Sequence, residues 1–413
     1  MKLTKESELL MSFFLNNNCV QNNQQTNKTD KIFETLYREI YNADSNDSVI
    51  ILKPDITQIK SLRQIPKPLG YNSDSFPEQI RHYIEQNILY QLTYNFTISK
   101  KPIEILMLVE DRFIMRNLEQ YNSYAYYCSL WLKIAYKYTS RLCANTMKIF
   151  LFLVHQNKNL PNSNLYTLNT YNVNTAYTTT CPIDSQIIVF RKEEWFKVFI
   201  HETFHNFAFD FSNMDTTKCH ANIINLFPIN SKVNAYEAYT EFWARILNVC
   251  FCSYNRLEDK TNIDEFLTNT ELYMNLERNY AVFQMVKVLD FMGLNYRCLY
   301  EKSNLCTKMR QSLYKENTNV FAYYVLTLIL LNNYQSFLNW CLTNNSILFV
   351  FKKTASNMSS FCKFIEQNYK SKTLLQNVDC FTGLVSAFKS KKQLTKDIKF
   401  LKNNLRMTIC ELG

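Results

Sequence analysis

The feature that most limits what this 413-residue chain can become is His201-Glu202-Thr203-Phe204-His205, set inside an apolar helical stretch. Two histidines four apart project from one side of a helix, and their imidazoles can grip a single metal ion. The glutamate beside the first histidine then stands next to a metal-bound water and can take its proton. The surrounding sequence fits that use. Gln186-Ile187-Ile188-Val189-Phe190 is short, apolar and β-branched, and reads as a strand. From Glu193 to Phe207 the apolar residues Trp195, Phe196, Phe199, Ile200, Phe204 and Phe207 recur at helical spacing. Glu193 and Glu194 place negative charge where a helix N-terminus favours it. The chain must therefore fold as a strand, a short connection and a buried helix that carries the motif in its middle.

A third ligand has to come from elsewhere, because a catalytic zinc takes three protein ligands and keeps one position open. Tyr236 to Ile246 has strong helix formers and neither Gly nor Pro. Glu237 and Glu241 are four apart on it and share a face. Glu237 is assigned as the third ligand. Glu241, one turn on, then accepts the outer N–H of a zinc-binding histidine and fixes its tautomer. The reverse assignment of these two acids is the open alternative.

An HExxH helix followed by a helix bearing Glu-Ala-x-Thr-Glu resembles the thermolysin-like gluzincin metallopeptidases. That resemblance implies His201, His205 and Glu237 as ligands of one zinc ion, Glu202 as general base, and Glu241 as the acid supporting a zinc histidine. Two departures stand out. Glu241 replaces the family's usual Asp, and no equivalent of its oxyanion-stabilising His or Tyr is evident. The stretch from about residue 145 to 370 also resembles an uncharacterised group of proteins from large nucleocytoplasmic DNA viruses. Asn172 to Ala176, Phe190 to Phe196 and Asn319 to Tyr324 carry that likeness, which suggests a viral origin and names no substrate.

Plainer readings stand beside these. HExxH can be a coincidence, or the relic of an inactive zinc fold. Glu237 and Glu241 alone would be an ordinary solvated face. Asn172 and Asn174 precede the active-site strand and can contact an extended substrate, or serve as turn residues. Candidate donors to an oxyanion are His220, Tyr239, Tyr323, Tyr324 and Arg245; for Tyr323 and Tyr324 the plain alternative is core packing, and for His220 a surface position. His82 and His155 read as structural or exposed.

Composition bounds the rest. Hydrophobic residues make up 47%, so the chain is globular rather than disordered. The net charge of +10 favours acidic partners only weakly. Its one concentration is C-terminal, through Lys389, Lys391, Lys392, Lys396, Lys399, Lys402 and Arg406, with Leu394, Ile398, Phe400 and Leu401 interleaved. This reads as a basic amphipathic helix, more simply a solvated face than a nucleic-acid or membrane surface. There are 13 cysteines, an odd number, with no CxxC pair and no apolar leader segment at the N-terminus. Reduced thiols and a cytoplasmic site, in host cell or virion, are expected rather than secretion. The longest apolar run, Val320 to Leu331, is too short to span a bilayer.

The expected fold is α+β: a zincin-like core of a small mixed sheet and active-site helices, with a mainly helical C-terminal part. Residues 1–30 read as an N-terminal extension and polar linker. Residues 31–145 form an α/β region, 146–290 the catalytic core with both motifs, and 291–413 an α-helical domain. Helices are expected at 1–15, 31–41, 78–96 and 123–145, and strands at 49–52, 103–109 and 147–154. Beyond the Glu237 helix, further helices are expected at 271–289, 306–314, 319–332, 334–342, 359–369 and 391–404. The function expected is a zinc-dependent peptidase acting on a peptide or protein. Its alternative is a catalytically inactive zinc-binding interaction protein, possibly associated with a virion or with nucleic acid.

Overall fold

The computed structural model describes residues 2–20, 24–45, 53–390 and 395–413, and the side chains of 388–390 fall outside that description. Its centre is one mixed six-stranded sheet amid helices, so the α+β expectation holds at that level. The strands are β1 (Asp55–Gln58), β2 (Tyr90–Ile98), β3 (Lys101–Val109), β4 (Thr146–Leu153), β5 (Ala176–Thr178) and β6 (Asp184–Val189). They lie in the order β1-β2-β3-β4-β6-β5. The inner strands β3, β4 and β6 run parallel, and β5 closes one edge antiparallel to β6.

Parallel strands covered on both faces read as nearly continuous apolar runs, which is how β3 and β4 read. Alternation still decides which side each residue faces. Leu106, Leu108, Phe150, Phe152 and Ile188 join Ile80 and Ile84 of the helix Glu78–Asn87 in a smaller core. Ile105, Met107, Ile149, Leu151, Ile187 and Val189 face the other way, into the main core that also takes in the HExxH helix. Phe199, Ile200 and Phe204 of that helix are fully enclosed. Each such side chain contributes about 1.5–3 kcal/mol relative to an exposed one.

Several elements differ from expectation. The segment Glu78 to Phe96 is not one helix: the helix ends at Asn87 and Tyr90–Ile98 is strand β2. Tyr90, Leu92, Tyr94, Phe96 and Ile98 alternate with Gln91, Thr93, Asn95 and Thr97, a period of two that outweighs the helical propensity preceding it. The helix expected at 123–145 runs instead from Leu118 to Ala135. A helix at Asn27–Ser45 starts inside the stretch read as linker. Strand β1 was not anticipated, and the strand expected at 49–52 falls outside the described residues. C-terminal to the Glu237 helix, helices cover Ile263–Phe291, Asn304–Leu313, Tyr334–Asn344 and Ala355–Asn368 near their expected places. Lys372–Ser390 is a helix that was not anticipated.

The C-terminal segment departs furthest. A helix spans only Lys396–Asn403, where Lys396 and Lys399 are exposed, while Lys391 and Lys392 lie outside the described residues. Arg406 is no part of a basic surface. It is 1% exposed and ion-paired with Glu411 at 3.0 Å. Residues Asn404 to Cys410 run through the interior, and Leu412 bridges to Leu3 so that the two termini meet. Six cysteines are disulfide-bonded, as Cys19–Cys380, Cys143–Cys181 and Cys219–Cys362, against the expectation of reduced thiols. Their sequence separations of 361, 38 and 143 arise from tertiary folding, which no local spacing rule detects. Among the described residues no helix is long and apolar enough to cross a membrane.

Candidate metal centre

Two buried helices build the site. The first, Trp195–Asn206, carries His201, Glu202 and His205. The second, Ala235–Arg256, packs against it and carries Glu237 and Glu241. Both are buried nearly all round, their polar side chains included. Glu194 is the N-cap residue of the first helix, but its side chain makes no capping hydrogen bond there. Glu194 takes a left-handed φ of 61° and accepts the backbone N–H groups of Met407 and Thr408, at 2.7 and 2.6 Å. The C-terminal segment is thereby fastened to the start of the HExxH helix.

The two imidazoles and Glu237 converge. The Nε2 atoms of His201 and His205 are 3.1 Å apart, and each is 3.3 Å from Glu237 Oε2. Ligands bound tetrahedrally to one zinc at 2.0–2.1 Å stand about 3.3 Å from one another. The three donors therefore fit a single ion of that size. Among the described residues this is the group with metal-binding spacing.

Each candidate ligand is held from behind. His201 Nδ1 lies 3.0 Å from Glu241 Oε2, and His205 Nδ1 is hydrogen-bonded to Asp210. An acid on Nδ1 directs the Nε2 lone pair toward the point where the ligands meet. Glu237 accepts hydrogen bonds from Asn319 Nδ2 and from the Tyr323 hydroxyl, both at 3.0 Å. Asn319 and Tyr323 sit where the chain enters a π-helical turn, Phe321–Leu326, a distortion common beside functional groups. The geometry favours Glu237 over Glu241 as ligand. Glu241 is already occupied by Lys197, at 2.9 and 3.0 Å, and by Arg245 at 2.9 Å.

The electrostatics match this division. Burial pulls the His205 imidazole down, but Asp210 and Glu237 outweigh it and raise it well above its ordinary value. His201 is raised in the same sense by Glu237 and Glu241 against its burial. Burial raises the Glu202 carboxyl, which His201 and His205 only partly offset. Glu202 lines a narrow cleft with Asn174, Thr175, Ala176, Lys197, Tyr323 and Met407. One wall of the cleft is thus the entry to β5, the antiparallel edge strand. Asn206, at the end of the HExxH helix, fixes that strand by donating to Thr178 Oγ1 at 2.9 Å.

The other candidates sort clearly. Tyr323 touches the ligand group and Asn174 lines the cleft, where its Oδ1 accepts from Thr318. Asn172 does neither. It closes a capping box with Asn169 and donates to Asn159 O, so it holds the turn. Tyr239 is turned into the core, donating to Phe349 O at 3.0 Å, and Tyr324 donates to Leu405 O at 2.6 Å. The His220 ring accepts the Val233 N–H at 3.2 Å, and Arg245 serves Glu241. None of these four contacts the ligand group. Asp210, Asn319 and Lys197 were missed as site residues. Asp210 had a weak signal, an acid just past the helix end that carries His205; Lys197 had a stronger one, a lysine one turn before His201 on the same face.

No family model matches the chain, and no match was found to a curated protein or to a solved structure.

Proposed function

We propose that this protein is a zinc-dependent peptidase of gluzincin type, with His201, His205 and Glu237 holding one zinc ion and Glu202 as general base. One observation carries the reading. Three donors at tetrahedral spacing meet beside an additional buried carboxylate, and that carboxylate faces a cleft bounded by an edge strand. A structural metal site has no use for the extra acid. Bound there, zinc would supply Lewis acidity toward a scissile carbonyl and toward water.

The chain's own groups do the remaining work. Glu202, its carboxyl raised by burial, takes a proton from the attacking water and delivers it to the leaving amine. An extended peptide can add along β5, an edge strand of the sheet among the described residues, through main-chain hydrogen bonds, with Asn174 at its side. Tyr323, the candidate phenol that reaches the ligand group, is the donor we assign to the developing oxyanion. Asp210 and Glu241 hold the two imidazoles in the ligating tautomer.

The test compares wild type with Glu202→Gln. The variant should keep its zinc and lose hydrolysis of a peptide library by on the order of 10²–10⁴-fold. The narrowness of the cleft favours one second reading, an inactive zinc-binding interaction protein. Equal metal content with no cleavage by either form would select it.

A further inference from the structure

We propose that Cys298 and Cys306 form a reversible disulfide, a redox modification site separate from the three bridges and from the metal centre. Their Sγ atoms are 2.8 Å apart across a separation of eight residues. A disulfide bond is 2.03–2.05 Å long, so closure needs a movement of only about 0.8 Å. The approach is built rather than incidental. The buried Arg310 guanidinium donates to both Cys298 O and Glu301 O, which fixes the turn between the two thiols. Asn295 accepts the Cys298 N–H, and Ser303 caps the helix Asn304–Leu313 by accepting the Cys306 N–H.

Reversibility follows from the loop that is closed. A cross-link stabilises a fold more when it closes a longer loop. This pair closes eight residues, whereas the three bridges span 38, 143 and 361. It is therefore the bridge that a reductant opens first. Both thiols are buried, but they lie beneath residues 301–305, an exposed turn whose local opening gives a small reagent access. A second thiol contact, Cys252 with Cys410, lies wholly in the core and is expected to stay reduced.

The exchange partner is a small disulfide such as glutathione disulfide. Cys306, at the start of its helix, attacks as thiolate, breaks the partner's S–S bond and releases one thiolate, which takes up the Cys306 proton. Cys298 then loses its proton to the second departing thiolate as its Sγ bonds Cys306 Sγ. Two protein thiols and one disulfide give one protein disulfide and two small thiols, with two electrons passing to the reagent. The Cys298 thiol is pushed up to about 11 by burial and by its neighbours Cys306 and Glu301, which suits it to the resolving role.

The full chain would be equilibrated across glutathione buffers from reducing to oxidising, alkylated, and mapped by mass spectrometry. Cys298 and Cys306 should leave the alkylated pool together, linked to each other, and return together on reduction while the three bridges stay closed. Two thiols that remain alkylated at the oxidising end would overturn the proposal, as would a bridge that opens only with the other three. In Cys298→Ser, Cys306 should accumulate as a mixed disulfide with glutathione, and an unreactive Cys306 would overturn the exchange step. If that variant does not fold, the wild-type titration decides alone.

Discussion

Glu237 and Glu241 sit one turn apart on the same buried helix, in opposite electrostatic surroundings. Glu241 is neutralised by the protein itself, through Lys197 and Arg245, in a network that continues to Lys158 and Glu194. Around Glu237 the partners are two imidazoles, an amide and a phenol, with no Lys or Arg ion pair among the described residues. A buried carboxylate needs compensating positive charge. On the Glu241 side the chain supplies it permanently. On the Glu237 side it comes from protons on His201 and His205, or from a cation that replaces them. The difference separates scaffold from site, although both carboxylates are buried, Glu237 at 8% exposure and Glu241 at 1%.

The largest expected effect is on the scaffold side. Truncation before Asn404 removes the backbone donors to Glu194 and Glu277 and leaves the interior without Leu405, Ile409 and Leu412. The shortened chain should lose cooperative thermal unfolding by circular dichroism; a sharp transition near that of wild type would show that the tail is dispensable.

Next is a contrast between the two acids. Lys197→Met removes one of the two cations paired with Glu241, leaving Arg245, and should cost about 1.5–3 kcal/mol in urea unfolding. Glu237→Gln removes a buried carboxylate that has no fixed cation, so metal-free protein should keep or gain stability while its metal binding is lost. Equal destabilisation by both variants would erase the distinction.

A pH prediction follows from Glu194. Burial raises its carboxyl, but Lys158, Lys197 and Arg406 outweigh that and hold it at about 2. A carboxyl depressed in the folded state stabilises the fold above its ordinary value near 4.5, and the contribution is lost as pH falls from there toward 2. Thermal midpoints should therefore drop across that window, and Glu194→Gln should flatten the drop. An unchanged acid limb in the variant would remove Glu194 from the account.

The smallest effects belong to the groups behind the ligands. Asp210→Asn and Tyr323→Phe should each weaken zinc affinity by about 10–100-fold, read by competition with a chelating dye, with little change in stability. Unchanged affinity in both would mean that the outer contacts do not tune the site.

Much of the site was legible because its signals are local and periodic. HExxH, the apolar helix around it and the Glu237–Glu241 pair each lie within a few turns of helix. Asp210 was harder to see, since it returns to His205 only through the turn at Ala208, where φ is 54°. Asn319 and Tyr323 reach Glu237 across 82 and 86 residues, a pairing that packing alone creates. The same cause hid the disulfides and the burial of Arg406, whose charge looked like surface until Glu411 and the N-terminal segment enclosed it. Strand β2 was misread for another reason: its alternation begins directly after a good helix, and the boundary carries no Gly or Pro.

The measurement that bears most directly on the central claim is metal content by mass spectrometry, for wild type, His205→Ala and Glu237→Ala. About one zinc per wild-type chain, lost in both folded variants, is the result expected of a centre with two histidines and one glutamate. A folded wild type that takes up no zinc, or variants that keep it, would contradict the account.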